Sequence, residues 1–290
     1  MIPLRLGTRG SALALAQSGM VARQITQTTG IPVELVVIRT RGDQVQDRPL
    51  AQVGGKGLFT KEIEQALLDV EVDFAVHSLK DLPGEMPDGL ALAATPRRAD
   101  PRDALIGSRL ADLPQGAVVG TGSLRRKLQL AAIRPDLDIQ GIRGNVDTRV
   151  LKQRSGEFHA IVLAAAGLER LDRTVDITEF LSVEQMIPAP GQGALAIQCR
   201  AKDDRVLAAL ATIDDARTRI EITAERAFLD EISGGCSVPA ACYAQWNGEK
   251  LAISAFYAAS ESTPRRTHLQ GTQEESAELG RRAARELKPK

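Results

Sequence analysis

The chain has 290 residues, 43% of them hydrophobic and 26% charged, which supplies apolar material for two or three packed domains and excludes a largely disordered polymer. Its 37 basic side chains balance 37 acidic ones, so it lacks the global positive field of a protein that grips nucleic acid through phosphates, and any anion site has to be local. No run of about 18 apolar residues occurs, so no membrane span is expected, and the scattered His77, His159, His268, Cys199, Cys236 and Cys242 show no metal-ligand spacing.

In chain order, strands are expected at Leu4 to Leu6, Val33 to Ile38 and Phe74 to Val76, alternating with helices at Ser11 to Thr26 and Thr60 to Leu68. Strand and helix in alternation predict an α/β sheet. The opening segment has early arginines and an Ala-Leu-Ala-Leu-Ala run, but Gln17, Ser18 and Gly19 cut it short, and it is read as retained structure rather than an export signal. A second α/β series follows Pro101: a strand at Val118 to Gly120, a helix from Ser123 to Ile133, a strand at Leu137 to Gln140, a helix from Val146 to Gln153, and a strand at Ile161 to Leu163. The breaker-rich stretches Thr95 to Arg98 and Pro188 to Gly193 bracket it and are candidate crossings between domains. Beyond Asp214 a long helix to Ile232, several strands between Ala241 and Leu269, and a charged helix from Gln273 to Leu287 describe a smaller α+β domain.

Arginine accounts for 28 of the 37 basic residues, and its planar fork is the side chain that grips carboxylates and phosphates. Gly7-Thr8-Arg9-Gly10-Ser11 joins a strand to a helix, and Gly120-Thr121-Gly122-Ser123-Leu124-Arg125-Arg126 repeats the device in the second series. Free amides at a helix N-terminus together with a guanidinium make an anion site. Ordinary capping by Ser11 and Ser123 with solvated arginines reads the same residues without a ligand. Arg143 to Arg149 brings two more guanidiniums to a strand-to-helix turn, where surface pairing with nearby aspartates is the alternative. Recurrence in both series favours an anionic ligand.

His77-Ser78-Leu79-Lys80-Asp81-Leu82-Pro83 follows an apolar strand, where open α/β sheets place ligands. Asp81 has the chemistry of an acid, a base or a stabiliser of a cation, while Ser78 and Lys80 are donors for a carboxylate; a plain Asp-Leu-Pro turn remains open, and His77 is read as packing or orienting the loop. Gly234-Gly235-Cys236-Ser237 carries a thiol in a glycine-rich loop, a setting that suits a reactive or modified cysteine, with a free unmodified thiol as the alternative. Val53 to Phe59 fails the spacing of a phosphate-binding loop, which sets nucleotide hydrolysis aside. An odd, sparse cysteine set fits a reducing cytoplasm.

Taken as ordered blocks, TRGSALALAQ at 8 to 17, GGKGLFTKEIE at 54 to 64, AVHSLKDLP at 75 to 83, DPRDALI at 100 to 106, VGTGSLRRKLQL at 119 to 130, RGNVDTR at 143 to 149, AAAGLERL at 164 to 171, PAPGQGALAI at 188 to 197 and AERAFLDEISGGCSVP at 224 to 239 resemble the porphobilinogen deaminase family. The resemblance implies two α/β domains like the halves of a type II periplasmic binding protein, residues 1–94 with 194–213 and residues 95–193, plus an α+β C-terminal domain, 214–290, carrying the cofactor cysteine. It implies a transferase that joins four porphobilinogens head to tail on a dipyrromethane primer, with loss of ammonia, and then releases hydroxymethylbilane. By the same resemblance Cys236 holds the dipyrromethane through a thioether; Ser78, Lys80, Thr121, Ser123, Arg125, Arg126 and Arg143 bind it; Arg9, Arg149 and Arg170 bind substrate; and Asp81 is the catalytic carboxylate. Porphobilinogen is the expected partner, without metal, nucleic acid or membrane, and the expected form is a cytoplasmic monomer. The loop from Arg41 to Gly57 is expected to shift during elongation. Cys242, a second thiol close to Cys236, departs from the pattern. Two other readings remain: a two-lobed anion receptor, which gives Asp81 and Cys236 no task, and a transferase using Cys236 as a transient nucleophile, which has no histidine near it in sequence.

Overall fold

The computed structural model describes residues 2–40, 60–232, 239–258 and 264–288. Cys236 and the loop from Arg41 to Gly57 lie outside the described residues. The chain divides into one unit of residues 1–98 with 194–219 and another of residues 99–193 with 220–290.

In the first unit, strand β1 (Leu4–Thr8) turns its alternate residues Leu4 and Leu6 into the core. Ser11 then caps α1 (Ala12–Thr29), its hydroxyl accepting from the Ala14 amide, and Val21, Ala22 and Ile25 lay one side of the helix on the sheet, as a 3.6-residue period requires. β2 (Val33–Val37), α2 (Lys61–Leu68), β3 (Phe74–Ser78) and β4 (Leu90–Ala94) follow. The sheet order is β2-β1-β3-β10-β4, where β10 (Leu195–Arg200) enters from far along the sequence and runs antiparallel to both neighbours. α6 (Asp204–Ala211) covers the same core through Val206, Ala209 and Leu210.

The second unit repeats this plan. Strands β5 (Asp103–Ile106), β6 (Val118–Gly120), β7 (Asp138–Gln140), β8 (Ala160–Ala164) and β9 (Glu179–Phe180) form a sheet ordered β7-β6-β8-β5-β9. Here β5 is the antiparallel strand. Helices α3 (Leu124–Ile133), α4 (Val146–Arg154) and α5 (Ala165–Glu169) connect or follow these strands. The two-residue period places Leu105, Ala160 and Val162 in one core and Ala104, Ile106, Ile161 and Leu163 in another, so the sheet is buried on both faces.

The strands expected beyond Ala241 are β11 (Ala240–Trp246), β12 (Leu251–Tyr257) and β13 (Arg265–Gly271), an antiparallel three-stranded sheet. α7 (Ala216–Ile232) and α8 (Ser276–Leu287) share a core with it built from Phe228, Cys242, Ile253, Leu279 and Ala283. Buried Glu225 on α7 accepts from the amides of Gly191 at 2.6 Å and Ala244 at 2.8 Å, tying the segment after Pro190 to β11. Both faces of that sheet are used: Ala241 and Phe256 pack with Ile187.

β4, β5, β10 and α6 were not expected from pattern. β5 and β10 begin beside polar or turn residues and carry short apolar runs, a signal that does not separate a buried strand from a connection until a partner strand is known.

α7 and α8 approach through Gly280, where an added Cβ would lie 2.0 Å from the carbonyl oxygen of Ala224. Gly280→Ala is therefore expected to cost about 3 kcal/mol through overpacking against backbone, read as a lower urea midpoint with an unchanged denaturant slope.

Candidate active site

The first unit places its polar cluster at the C-terminal end of β3. The apolar run Phe74 to Val76 fills the core and ends in His77 and Ser78, and a single 3-10 turn, Leu79–Asp81, follows. Leu79 and Leu82 are buried, and the Leu79 amide donates to the Ala194 carbonyl at 3.1 Å. Anchored at both ends, the turn leaves Lys80 half-buried and Asp81 exposed. Arg9 stands just beyond β1. Together with Ser11, Gln17, His77, Ser78 and Asp81 it lines a pocket of about 80 Å³. The Gln17 amide donates to the Ser78 hydroxyl at 3.0 Å. Arg9, Ser78 and Asp81 are thus brought to one place, with a cationic fork, a hydroxyl and a carboxylate around it.

In the second unit, Thr121 and Ser123 follow β6. Thr121 Oγ1 accepts from the Ser123 amide at 3.2 Å, and Ser123 caps α3 by accepting from the Arg126 amide. The two arginines behind that cap turn inward. Arg125 donates to Asp103 Oδ2 and to the Ile187 carbonyl, both at 2.7 Å. Arg126 donates to Asp103 Oδ1 through Nε at 3.0 Å and Nη2 at 2.7 Å, and to the Val162 carbonyl at 3.0 Å. Asp103 is fully buried, and the Gln192 amide donates to it as well, at 2.9 Å. One carboxylate thus serves two guanidiniums, and the group as a whole keeps a net positive charge. Burial alone would raise the Asp103 carboxyl, but the two arginines and the donated hydrogen bonds hold it well below the usual range. Burial pushes Arg125 the other way, down from its ordinary value.

Arg149, on α4, folds back so that its Nε donates to the Gly144 carbonyl at 2.8 Å. Burial lowers its pKa, and the like charges of Arg126 and Arg143 lower it further. Arg149 thus sits in the field of two other guanidiniums, one of which, Arg126, is already bound to Asp103. Arg170 follows α5 and donates to the Gly193 carbonyl at 2.6 Å. Its Nε is buried without a hydrogen-bond partner, and burial pushes its pKa down to about 10. Gly193 itself sits at φ +85°, where a Cβ would lie 2.5 Å from the Ala99 carbonyl oxygen, so only glycine delivers this acceptor without strain.

The cysteines separate by environment. Cys199 is buried in β10, and burial pushes its thiol up to about 11. Cys242 is buried in the core behind β11. Both are free thiols packed in strands, the environment of inert cysteines. Among the described residues no group of His, Cys, Asp or Glu has the arrangement of a metal site, and no helix is long and apolar enough to cross a membrane.

The sequence reading gave no role to Asp103 or Gln17. Asp103 sits in the DPRDALI block beside Arg102 and reads locally as a surface charge; its one signal is the apolar run that follows it. Gln17 reads as one polar position on a surface helix, and its contact with Ser78 spans 61 residues.

Two family profiles match the chain: residues 4–208 match "Porphobilinogen deaminase, dipyromethane cofactor binding domain" and residues 219–289 match "Porphobilinogen deaminase, C-terminal domain". Among curated relatives, the chain is 47% identical to the porphobilinogen deaminase of Syntrophus aciditrophicus over 98% of its own length and 94% of the relative's. It is 50% identical to that of Roseiflexus castenholzii, covering 98% and 95%, and 54% identical to that of Brevibacillus brevis, covering 83% and 79%. Solved structures resemble it more distantly. A TRAP periplasmic solute binding protein from Desulfovibrio salexigens has a TM-score of 0.43 at 12% identity, covering 73% of this chain and 72% of that one. The periplasmic VFT2 domain of Bordetella pertussis BvgS has a TM-score of 0.41 at 13% identity, covering 72% and 86%.

The doubly bound carboxylate makes a pH-dependent stability difference. Asp103→Asn leaves two buried guanidiniums without their anion and is expected to cost about 3–5 kcal/mol at neutral pH. Because the folded pKa of Asp103 lies below its ordinary 3.8, its contribution is complete above that value and is lost as the pH falls below it toward the folded pKa. Urea unfolding of both proteins between pH 7 and pH 3 should show a wide, constant gap that narrows only below about pH 4.

Proposed function

The chain belongs to the porphobilinogen deaminase family, the transferases of tetrapyrrole biosynthesis that carry a dipyrromethane cofactor, and we propose how its own residues divide that work. The observation that carries the proposal is half-buried Arg149 lying in the repulsive field of Arg126 and Arg143, with Asp103 already shared between Arg125 and Arg126. Such a cluster is costly by itself and suits a ligand that brings several carboxylates. A pyrrole chain with an acetate and a propionate on each ring is that ligand. The orphaned Nε of Arg170 points to the same chemistry.

When bound, the dipyrromethane supplies the primer to which new rings are joined. Cys236 is the proposed anchor, since Cys199 and Cys242 are packed in strands. Arg125 and Arg126, pinned by Asp103, set the net positive charge and the orientation of the Thr121 to Ser123 turn, with Thr121 and Ser123 adding hydroxyls. Arg143, Arg149 and Arg170 neutralise carboxylates. On the first unit, Arg9 grips a substrate carboxylate at the N-terminus of α1, with Ser78 and Lys80 as further donors.

Asp81 is the catalytic carboxylate of this proposal, which its setting supports: exposed, beside Arg9 and Ser78, on a turn held by two buried leucines. Ammonia leaving the aminomethyl group takes the bonding electron pair, and the pyrrole that remains is a cation. A fixed negative charge stabilises that cation and the transition state leading to it, and it accepts a hydrogen bond from a pyrrole N–H. The proposal extends to three domains, 1–94 with 194–213, 95–193 and 214–290, a division supported near its last boundary by the separate family matches to 4–208 and 219–289. It extends also to a monomer in the cytoplasm, for which the free thiols of Cys199 and Cys242 fit a reducing compartment.

Denaturing mass spectrometry of the purified protein should show added mass equal to two pyrrole units, carried by the peptide containing Cys236 and absent from Cys236→Ser. Active protein without that mass would defeat the anchor. Given porphobilinogen, the enzyme should release ammonia and a bilane. Asp81→Asn, which keeps the shape and removes the charge, should lower kcat by about 100-fold or more; a rate within twofold of the parent would remove Asp81 from its role.

A further inference from the structure

His77, read from sequence as packing or orienting its loop, lines the same pocket as Arg9, Ser78 and Asp81. Its Nε2 lies 3.1 Å from Oε1 of Gln198 on neighbouring β10. The amide nitrogen of Gln198 faces the other way and donates to Glu64 Oε1 at 3.2 Å, and Thr60 donates its hydroxyl to Glu64 Oε2 at 3.4 Å. All four residues are at most 8% exposed.

The chemistry of this chain fixes the hydrogen positions. A carboxylate only accepts, so Glu64 selects the nitrogen end of the Gln198 amide, since the flipped amide would set oxygen against oxygen. Gln198 then shows His77 a carbonyl oxygen, which also only accepts, and Nε2 must carry the hydrogen. Nδ1 is left as an acceptor and makes no hydrogen bond among the described residues. Burial, with Arg9 adding to it, pushes the ring's pKa down to about 4 against the opposing bond to Gln198, so the ring is uncharged at neutral pH. An uncharged acceptor gives nothing to a ligand carboxylate, which Arg9 serves. Its complement is a hydrogen on nitrogen.

We propose that His77 is a further substrate-contacting residue, held as the Nε2–H tautomer by Gln198 and Glu64 so that Nδ1 accepts a hydrogen bond from the pyrrole N–H of the bound substrate. It shares with Asp81 the recognition of the ring nitrogen, one group charged and the other neutral. The inference rests on the placement of porphobilinogen at the Arg9 and Asp81 pocket.

The test is nitrogen NMR of the full-length protein labelled with 15N-histidine. Three histidines are present, and His77→Gln identifies the His77 signals. Expected are an Nε2–H tautomer at pH 7, its loss in Gln198→Leu, and, when porphobilinogen is added to Asp81→Asn protein, a shift of the Nδ1 resonance with Nε2 nearly still. His77→Leu, paired with His77→Leu/Gln198→Leu to relieve the unpaired amide, should lose about five- to tenfold in kcat/KM. An Nδ1–H tautomer in the resting protein overturns the proposal. So does an unmoved Nδ1 signal in protein that binds porphobilinogen by equilibrium dialysis and loses that binding in Arg9→Leu; that outcome leaves the pocket assignment standing. If Arg9→Leu instead binds as tightly as its parent, the pocket assignment itself fails, and His77 with it.

Discussion

One buried carboxylate shared by two buried guanidiniums is the constraint on which the second unit depends. Asp103 has no exposed surface, and Arg125 and Arg126 are 5% and 6% exposed. A one-to-one pair would be neutral and inert toward anions. Two arginines on one aspartate are not neutral, and the remaining charge adds to that of Arg143 and Arg149. The cost of burying it is met by directed bonds: carbonyls of Val162 and Ile187 accept from the guanidiniums, and Gln192 completes the carboxylate. The fold thereby stores positive charge in a fixed place, which is the condition for an electrostatic site that need not reorganise when a polyanion arrives.

The first unit solves a different problem. There the charges are few and the backbone carries the precision. Asp81 is held by the 3-10 turn between Leu79 and Leu82, Ser78 by Gln17, and His77 by a buried chain of amide, carboxylate and hydroxyl. Ser78 and His77 are fixed by side chains of α1, α2 and β10, elements distant in sequence, and Asp81 by its own turn. A carboxylate that stabilises a developing cation works best when its position is set before the reaction begins.

The cysteines show how packing sorts chemically identical side chains. Cys199 and Cys242 are strand residues with apolar neighbours, and burial raises the Cys199 thiol away from the reactive thiolate form. Their spacing along the chain conveys none of this. Cys242 lies close to Cys236 in sequence, but its side chain belongs to the core shared by α7, α8 and the three-stranded sheet.

By itself the sequence determined the alternation of strands and helices, since a period of two or of 3.6 residues is written locally in β1, α1, β6, α3 and α4. It also determined that Arg9, Ser78, Asp81, Thr121 and Ser123 stand at strand ends, because glycine-rich turns and capping residues mark those ends. Motif order carried the family. Tertiary structure alone decided the antiparallel strands β5 and β10, whose partners β8 and β3 are far along the chain, and with them the burial of Asp103 and the pairing of His77 with Gln198. The reason is that a hydrogen bond across 22, 61 or 121 residues leaves no periodic trace: whether an acid beside arginines is a solvated surface charge or the centre of a buried cluster depends on which sheet face it lands on, and that is fixed only when the distant strands pair.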